Sequence, residues 1–320
     1  MKEIIEFCNN HIEQAKELFL ANYNEERAIV TDLPKLETIS DEIFKKFADN
    51  GLGVAMLDGG SMLGFLCCHS PWENSYGTAA MGTFIPDYGH GAVAKNRGTI
   101  YKRLYQAAAE IWVGKGIAYH TISLYAHDSQ AIDAFFSYGF GLRCIDAVRP
   151  LVNFDHAELT DIAFAELPKG DEAKVRDMRR ALAAHLGKSP TFLRWSEDFL
   201  EKWISQGEAR GSRFFTATLG TEPTAFIEVA KDGESLASGH DGMRNICGAY
   251  CLPEHRGKGI MEGLLNYVIT QLRNDGFDSL GVDFESFNPS ANGFWLKHFA
   301  VYTYSAARRI DECVSILNGG

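Results

Sequence analysis

The order of apolar and polar positions divides this chain into two runs of elements that resemble each other. In the first, "IEQAKELFL" reads as an amphipathic helix, and "GVAMLDGGSMLGFL" (Gly53 to Leu66) reads as two apolar strands joined by a tight turn. In the second, "AKVRDMRRALAAHL" is followed by the hairpin pattern "RFFTATLGTEPTAFI" from Arg213. Each hairpin leads to a strand, a loop and a longer helix. The apolar positions Ile100, Leu104, Ala107, Ala108 and Ile111 form one stripe on the first of these helices, and Leu264, Leu265, Val268, Ile269 and Leu272 form the stripe on the second. A strand ("AYHTISLYAH"; "FDSLGVDFES"), a short helix and a final strand close each run. Helices and strands alternating in this way predict an α/β (α+β) fold in which each half builds a mixed, mostly antiparallel central sheet flanked by helices.

The two runs align at an offset of 159 or 160 residues. Arg97-Gly98 falls on Arg256-Gly257, Gly116 on Gly276, Asp128 on Asn288, Ala131 on Ala291, Phe135 on Trp295 and Phe140 on Phe299, with the order kept throughout. A duplication explains landmarks at one spacing in segments of one periodicity, and a length of 320 residues suits two domains. The strand "GLRCIDAVR" ends at Pro150 and a new strand-like run starts at Ile162, so the expected domains are residues 1–152 and 153–320.

Composition narrows the class. Hydrophobic residues make up 46% and charged residues 23%, without low-complexity tracts, as in a folded globular protein. The start of the chain lacks the apolar run of a signal peptide, and no stretch approaches the ~18 uninterrupted apolar residues of a membrane span. The expectation is a cytoplasmic protein without a membrane partner. A net charge of -11 disfavours nucleic acid as a partner and leaves room for a cationic substrate. Seven cysteines without CxxC spacing read as reduced thiols, and the histidines lack metal-ligand spacing, so no metal is expected. His127-Asp128 and His240-Asp241 have no Ser or Cys elbow beside them and read as local turn bonds.

One stretch carries chemistry: "CLPEHRGKGIMEGLL", Cys251 to Leu265. A strand ends, Pro253 stops further pairing, and a loop with two glycines opens a helix that begins near Ile260. A helix N-terminus presents unpaired N–H groups and about half a positive charge, and glycine lets a ligand come close to the backbone. Arg256 and Lys258 add formal charge at the same place, which makes this a phosphate cradle. It lacks the Gly-Lys-Ser/Thr ending of a Walker loop, and a pyrophosphate without catalytic magnesium fits it better.

The ordered set of loop, helix, Gly276, strand and the run "NPSANGFWLKHF" (Asn288 to Phe299) resembles the GNAT acetyltransferase superfamily. Its acetyl-CoA signature, Arg/Gln-x-x-Gly-x-Gly/Ala, is matched by Arg256, Gly257, Lys258, Gly259, Ile260 and Met261, with Met261 where Gly or Ala is usual. The Asn288 run is similar to the family's Asn-x-x-Ala-x-x-Phe-Tyr helix, with Trp295 in place of the Tyr and His298 in place of a later Gly. The resemblance implies two tandem GNAT-like domains with strands splayed at the cofactor site. The second would hold acetyl-CoA. The first, where "AVAKNRGTIYKRLY" keeps Arg97-Gly98 but only one glycine, would be a degenerate scaffold that binds the coenzyme poorly or not at all.

The resemblance also implies that the pantetheine arm lies between "ICGAYC" and "LGVDFES", with the thioester carbonyl held by a backbone N–H near Cys251 and attacked directly by a primary amine of a small molecule or peptide. Cys251 then packs rather than reacts. A base must deprotonate the ammonium, and an acid must protonate the leaving thiolate. Asp283 and Glu285 share one face of their strand and are the base candidates, with Glu228 in reserve; Tyr302 or Tyr304 could supply the acid. The rival function is a CoA or acyl-CoA sensor or scaffold without transfer. The acceptor and the oligomeric state are left open by the sequence, although "NYNEERAIVTDLP" and "SPTFLRWSEDFLEKW" would shape the acceptor site.

Overall fold

The computed structural model describes residues 2–310 except 232 and 234. Two compact units form over these residues: Met1–Asp146 with the strand from Val301 onward, and Ala147–Ala300. In chain order the first contains β1 (Lys2–Glu6), α1 (Ile12–Ile29), α2 (Asp41–Asn50), β2 (Val54–Asp58), β3 (Ser61–Leu66), β4 (Met81–Ile85), β5 (His90–Ala92), α3 (Arg97–Gly114), β6 (Ile117–Tyr125) and α4 (Ser129–Ser137). Strand β7 (Gly141–Pro150) carries the chain into the second unit. That unit contains β8 (Ile162–Glu166), α5 (Arg176–Leu186), α6 (Glu197–Ala209), β9 (Arg213–Leu219), β10 (Glu222–Ala230), β11 (Met243–Cys251), α7 (Ile260–Asn274), β12 (Ser279–Glu285) and α8 (Pro289–His298). The last described element is β13 (Ala300–Arg309).

The first unit pairs β1, β2, β3 and β5 in antiparallel order, and β4 runs parallel to β6. Strand β13 pairs antiparallel with β6, from Thr303 opposite Tyr125 to Arg309 opposite Tyr119. The final strand of the second repeat therefore completes the sheet of the first unit, and the compact units do not follow the single cut expected at 152/153. An internal repeat shows which residues correspond; it does not say which edge an outlying strand will pair with. Trp112, Leu104, Tyr105, Phe135 and Phe140 centre this unit's core, and the buried Trp112 indole donates to the Leu52 carbonyl at 2.8 Å.

In the second unit β8, β9, β10 and β11 are antiparallel neighbours and β12 runs parallel to β11. The mixed, mostly antiparallel sheets agree with the expected fold class. The apolar stripe of α7 is fully buried at Leu264, Leu265, Val268, Ile269 and Leu272, each burial contributing about 1.5–3 kcal/mol. That anchors the helix whose N-terminus faces the candidate site. The six described cysteines are free thiols, with Cys67 and Cys68 both buried.

Candidate active site

The site is built where β11 and β12 part. Parallel pairing runs from Met243 opposite Ser279 to Ile246 opposite Val282 and stops, while β11 continues to Cys251 and β12 to Glu285. From Cys247 onward the β11 edge toward β12 is open, the splay expected from the sequence. The pairing with β12 thus ends five residues before Cys251.

At the far end of β11 the loop turns into α7. Gly257 and Gly259 have φ of 71° and 79°, a left-handed backbone that a side chain would strain. Gly259 is the N-cap and no side chain caps the helix; the first intrahelical amide is that of Gly263, donating to the Gly259 carbonyl at 3.0 Å. The amides of Ile260, Met261 and Glu262 therefore point outward as donors. Beside them is a cleft of about 260 Å³ whose wall includes Cys251, Arg256, Gly257, Gly259, Ile260, Met261 and Asn288. Of the eight residues expected to hold the cofactor only Lys258, which is exposed, is not part of that wall.

Arg256 is fixed by its own strand end. Its Nε donates to the Cys251 carbonyl at 2.9 Å, and its guanidinium lies 5.1 Å from the Tyr250 ring. Among the described residues it forms no ion pair, so its charge is available to a ligand. Asn288 caps α8, accepting from the Ala291 amide at 3.4 Å and from the Ser290 hydroxyl at 2.8 Å. Burial, opposed by Arg256, pushes the Cys251 thiol up to about 11, which suits a packed thiol.

The sequence did not point to His185. It reaches the cleft from the last turn of α5, with Nε2 3.2 Å from the Ser290 hydroxyl, and burial together with nearby Arg256 lowers its pKa. Leu182 from the same helix and Phe294 and Trp295 from α8 complete the apolar wall. No sequence signal marks His185, because its part in the cleft depends on how α5 packs.

The proposed acid and base residues lie elsewhere. Asp283 is exposed and Glu285 half-buried, and the intervening Phe284 is buried, so the two acids do share a face of β12, but neither lines the cleft. Burial first, then the Asp283 and Glu228 carboxylates, pushes the Cys247 thiol up to about 12; both acids thus stand near the residue where the splay opens. Glu228 is fully buried at a register shift in β10, 3.2 Å from Arg179. Gly248 stands opposite it: a β-carbon there would make ordinary contact with Glu228 Oε2 at 3.4 Å. Tyr302 is buried on β13 and belongs to the first unit, its carbonyl accepting from the Ala126 amide at 2.9 Å. It is not part of the cleft wall.

Among the described residues no group of three or more His, Cys, Asp or Glu is placed to hold a metal, and no helix is long and apolar enough to cross a membrane.

A splayed parallel strand pair, with a glycine loop leading into an uncapped helix beside it, forms a cradle suited to an elongated anionic ligand. Residues 180–300 match the model of the acetyltransferase (GNAT) family. No curated protein matches the chain. Among solved structures, a GCN5-related N-acetyltransferase from Sphaerobacter thermophilus is similar over 96% of this chain and 95% of its own, at 13% identity and a TM-score of 0.61. A GNAT-family acetyltransferase from Colwellia psychrerythraea is similar over 97% of this chain and all of its own, at 10% identity and a TM-score of 0.50. The family match covers residues 180–300, and over the rest of the chain the likeness is one of fold.

Proposed function

We propose that the second unit transfers an acetyl group from acetyl-CoA directly to a primary amine of a small molecule or peptide. One observation carries the reading: β11 runs on past its last pair with β12 to Cys251 and leads into the uncapped N-terminus of α7, so strand and helix-end donors serve one elongated anionic ligand. The residues present fit that ligand. The amides of Ile260, Met261 and Glu262, with unpaired Arg256, would hold the diphosphate; the open β11 edge would hold the pantetheine arm; and Leu182, Phe294 and Trp295 would supply apolar wall. When bound, the coenzyme supplies an activated acetyl thioester.

The chain's own work is positioning and proton movement. An amide near Cys251, toward the end of β11, donates to the thioester carbonyl, which stabilises charge developing on that oxygen. Asp283 takes the proton from the incoming ammonium: it is exposed, it follows the last residue of β12 that pairs with β11, and its charge is felt at Cys247. Glu285 shares its strand face and is the second base candidate. Nothing within the second unit's site assigns the acid role to Tyr302. In the cytoplasm, the location proposed from the sequence, acetyl-CoA is the natural donor.

Thiol release from acetyl-CoA, followed against a panel of amino-acid amides, aminosugars, polyamines and peptides, tests the reading. Amine-dependent release that falls at least tenfold in Asp283→Asn supports it. Coenzyme binding without release for any amine overturns the transfer, and no coenzyme binding overturns the site.

A further inference from the structure

The duplication places a second cleft, in the first unit, at the position equivalent to the coenzyme cleft. It has a volume of about 210 Å³ and is walled by α1 (Asn22, Glu25, Glu26), by Arg97 at the start of α3, by Tyr125 at the end of β6 and by Asp128 at the start of α4. Arg97 and Asp128 are the repeat partners of Arg256 and Asn288.

The electrostatics are reversed. Arg256 carries a charge with no ion-pair partner among the described residues, whereas Arg97 is buried and already taken. Its Nη1 and Nη2 donate to the two oxygens of Glu25 at 2.7 and 3.0 Å, and Nη1 also meets Asp128 at 3.2 Å. Glu26, almost fully buried, accepts from the His127 ring at 2.8 Å and the His127 amide at 3.1 Å. Three carboxylates thus face one guanidinium and one imidazole. A diphosphate would have to displace the Glu25 carboxylate from Arg97 and remain beside two further acids.

Acids alone would make only a solvated patch; two buried donors show more. Tyr125 is 4% exposed and its hydroxyl has no hydrogen-bond partner among the described residues; Arg97 is 6% exposed and the same holds for its Nε. Buried polar groups are rarely left unpaired, because each costs about 1–3 kcal/mol. Both residues form the wall of the cleft. The lining thus offers negative charge to a cation and two hydrogen-bond donors to an acceptor on the same molecule.

We propose that the first unit's cleft binds a small primary ammonium compound bearing a hydroxyl or carbonyl oxygen, and that it holds no coenzyme. The ammonium lies among Glu25, Glu26 and Asp128, whose carboxylates keep lone pairs beyond those used by Arg97 and His127. The ligand oxygen accepts from the Tyr125 hydroxyl and Arg97 Nε. The site arises from the coenzyme cleft by exchange of side chains, Glu25 and Glu26 standing on α1 where α5 presents Leu182 and His185. This inference does not depend on transfer in the second unit.

Calorimetry on the full chain tests it, with ethanolamine and glycinamide as probes, acetate as the anionic control and coenzyme A titrated separately. The double variant Glu25→Gln/Asp128→Asn removes two charges yet keeps an acceptor for Arg97 and a cap for α4, as Asn288 caps α8. Saturable binding of both amines to the wild type, weakened at least tenfold in the double variant and about threefold in Tyr125→Phe, supports the site, with one coenzyme per chain in every protein. Tyr125→Phe removes only an unpartnered hydroxyl and keeps the test valid should the double variant unfold. Equal amine affinity in wild type and variants, no saturable amine binding to the wild type, or two coenzymes per chain would overturn it. Failure of coenzyme binding alone would strike the second unit's reading and leave this one standing.

Discussion

Replacing Arg256 by Gln separates the coenzyme cradle from an ordinary surface loop. In the fold Arg256 gives one bond, from Nε to the Cys251 carbonyl, and a contact with the Tyr250 ring, both at an exposed residue. Losing them costs about 1 kcal/mol of stability. Losing a charge-assisted bond to a phosphate costs about 1.5–3 kcal/mol of binding, or about 10- to 150-fold in the Kd for coenzyme A. Because the diphosphate is remote from the reacting carbonyl, the loss belongs to ground state and transition state alike. KM for acetyl-CoA therefore rises while kcat holds. Calorimetry gives the first quantity and thiol-release kinetics the second. Arg97→Gln is the internal control: it leaves coenzyme affinity unchanged and lowers stability instead, because Arg97 holds Glu25 and Asp128. A change in Kd of less than about threefold in Arg256→Gln, or an equal loss in Arg97→Gln, would refute the assignment of the diphosphate to the α7 end.

Two further outcomes follow from buried charge. Arg179→Met leaves the Glu228 carboxylate, at zero exposure, with only the more distant Arg210 at 3.8 Å and removes the bond from Arg179 to the Ile204 carbonyl at 2.8 Å, so urea unfolding should show a loss of about 3 kcal/mol; Arg179→Met/Glu228→Leu should recover much of it, and equal losses would show that the pair is not what matters. Burial holds His120 down to about 4, with its Nδ1 accepting from the Tyr105 hydroxyl and its Nε2 donating to the Ile117 carbonyl. A folded pKa below the unfolded value makes stability present above about pH 6.5 and lost as pH falls toward 4, worth about 3 kcal/mol; His120→Gln should flatten that part of the stability profile, and an unchanged slope would place the proton elsewhere.

The parts of this site that could be read from sequence are those whose chemistry is local. Gly259 had to start a helix near Ile260 because a glycine with positive φ followed by an amphipathic stripe has few other uses, and Asn288 caps α8 through an atom three residues from the amide it serves. The open strand edge was legible only through family likeness, and its starting point at Cys247 depends on how many parallel pairs β11 and β12 can form, which neither strand records alone. His185 was invisible because a histidine in the last turn of a helix reaches a cleft only if packing turns it there. The same holds for Tyr302: its alternation on β13 is plain, yet its sheet partner is β6.

The two arginines sharpen the point. Arg97 and Arg256 fall on each other in the sequence repeat, although Arg97 opens α3 and Arg256 lies four residues before α7, and no window of sequence around either one states its charge balance. What separates them is Glu25, 72 residues before Arg97, whose carboxylate reaches it from α1 and occupies the guanidinium that its counterpart leaves open. In the second repeat the motif reports the backbone cradle, because glycines and helix ends act on their own neighbours; in the first, Gly98 lies inside α3 and Asn96 is the left-handed N-cap. Whether that cradle meets an anion or a cation is decided by the helix packed across it. The Arg-Gly pair shared by the two repeats thus says little about the ligand, which has to be inferred from the side chains that α1 or α5 presents.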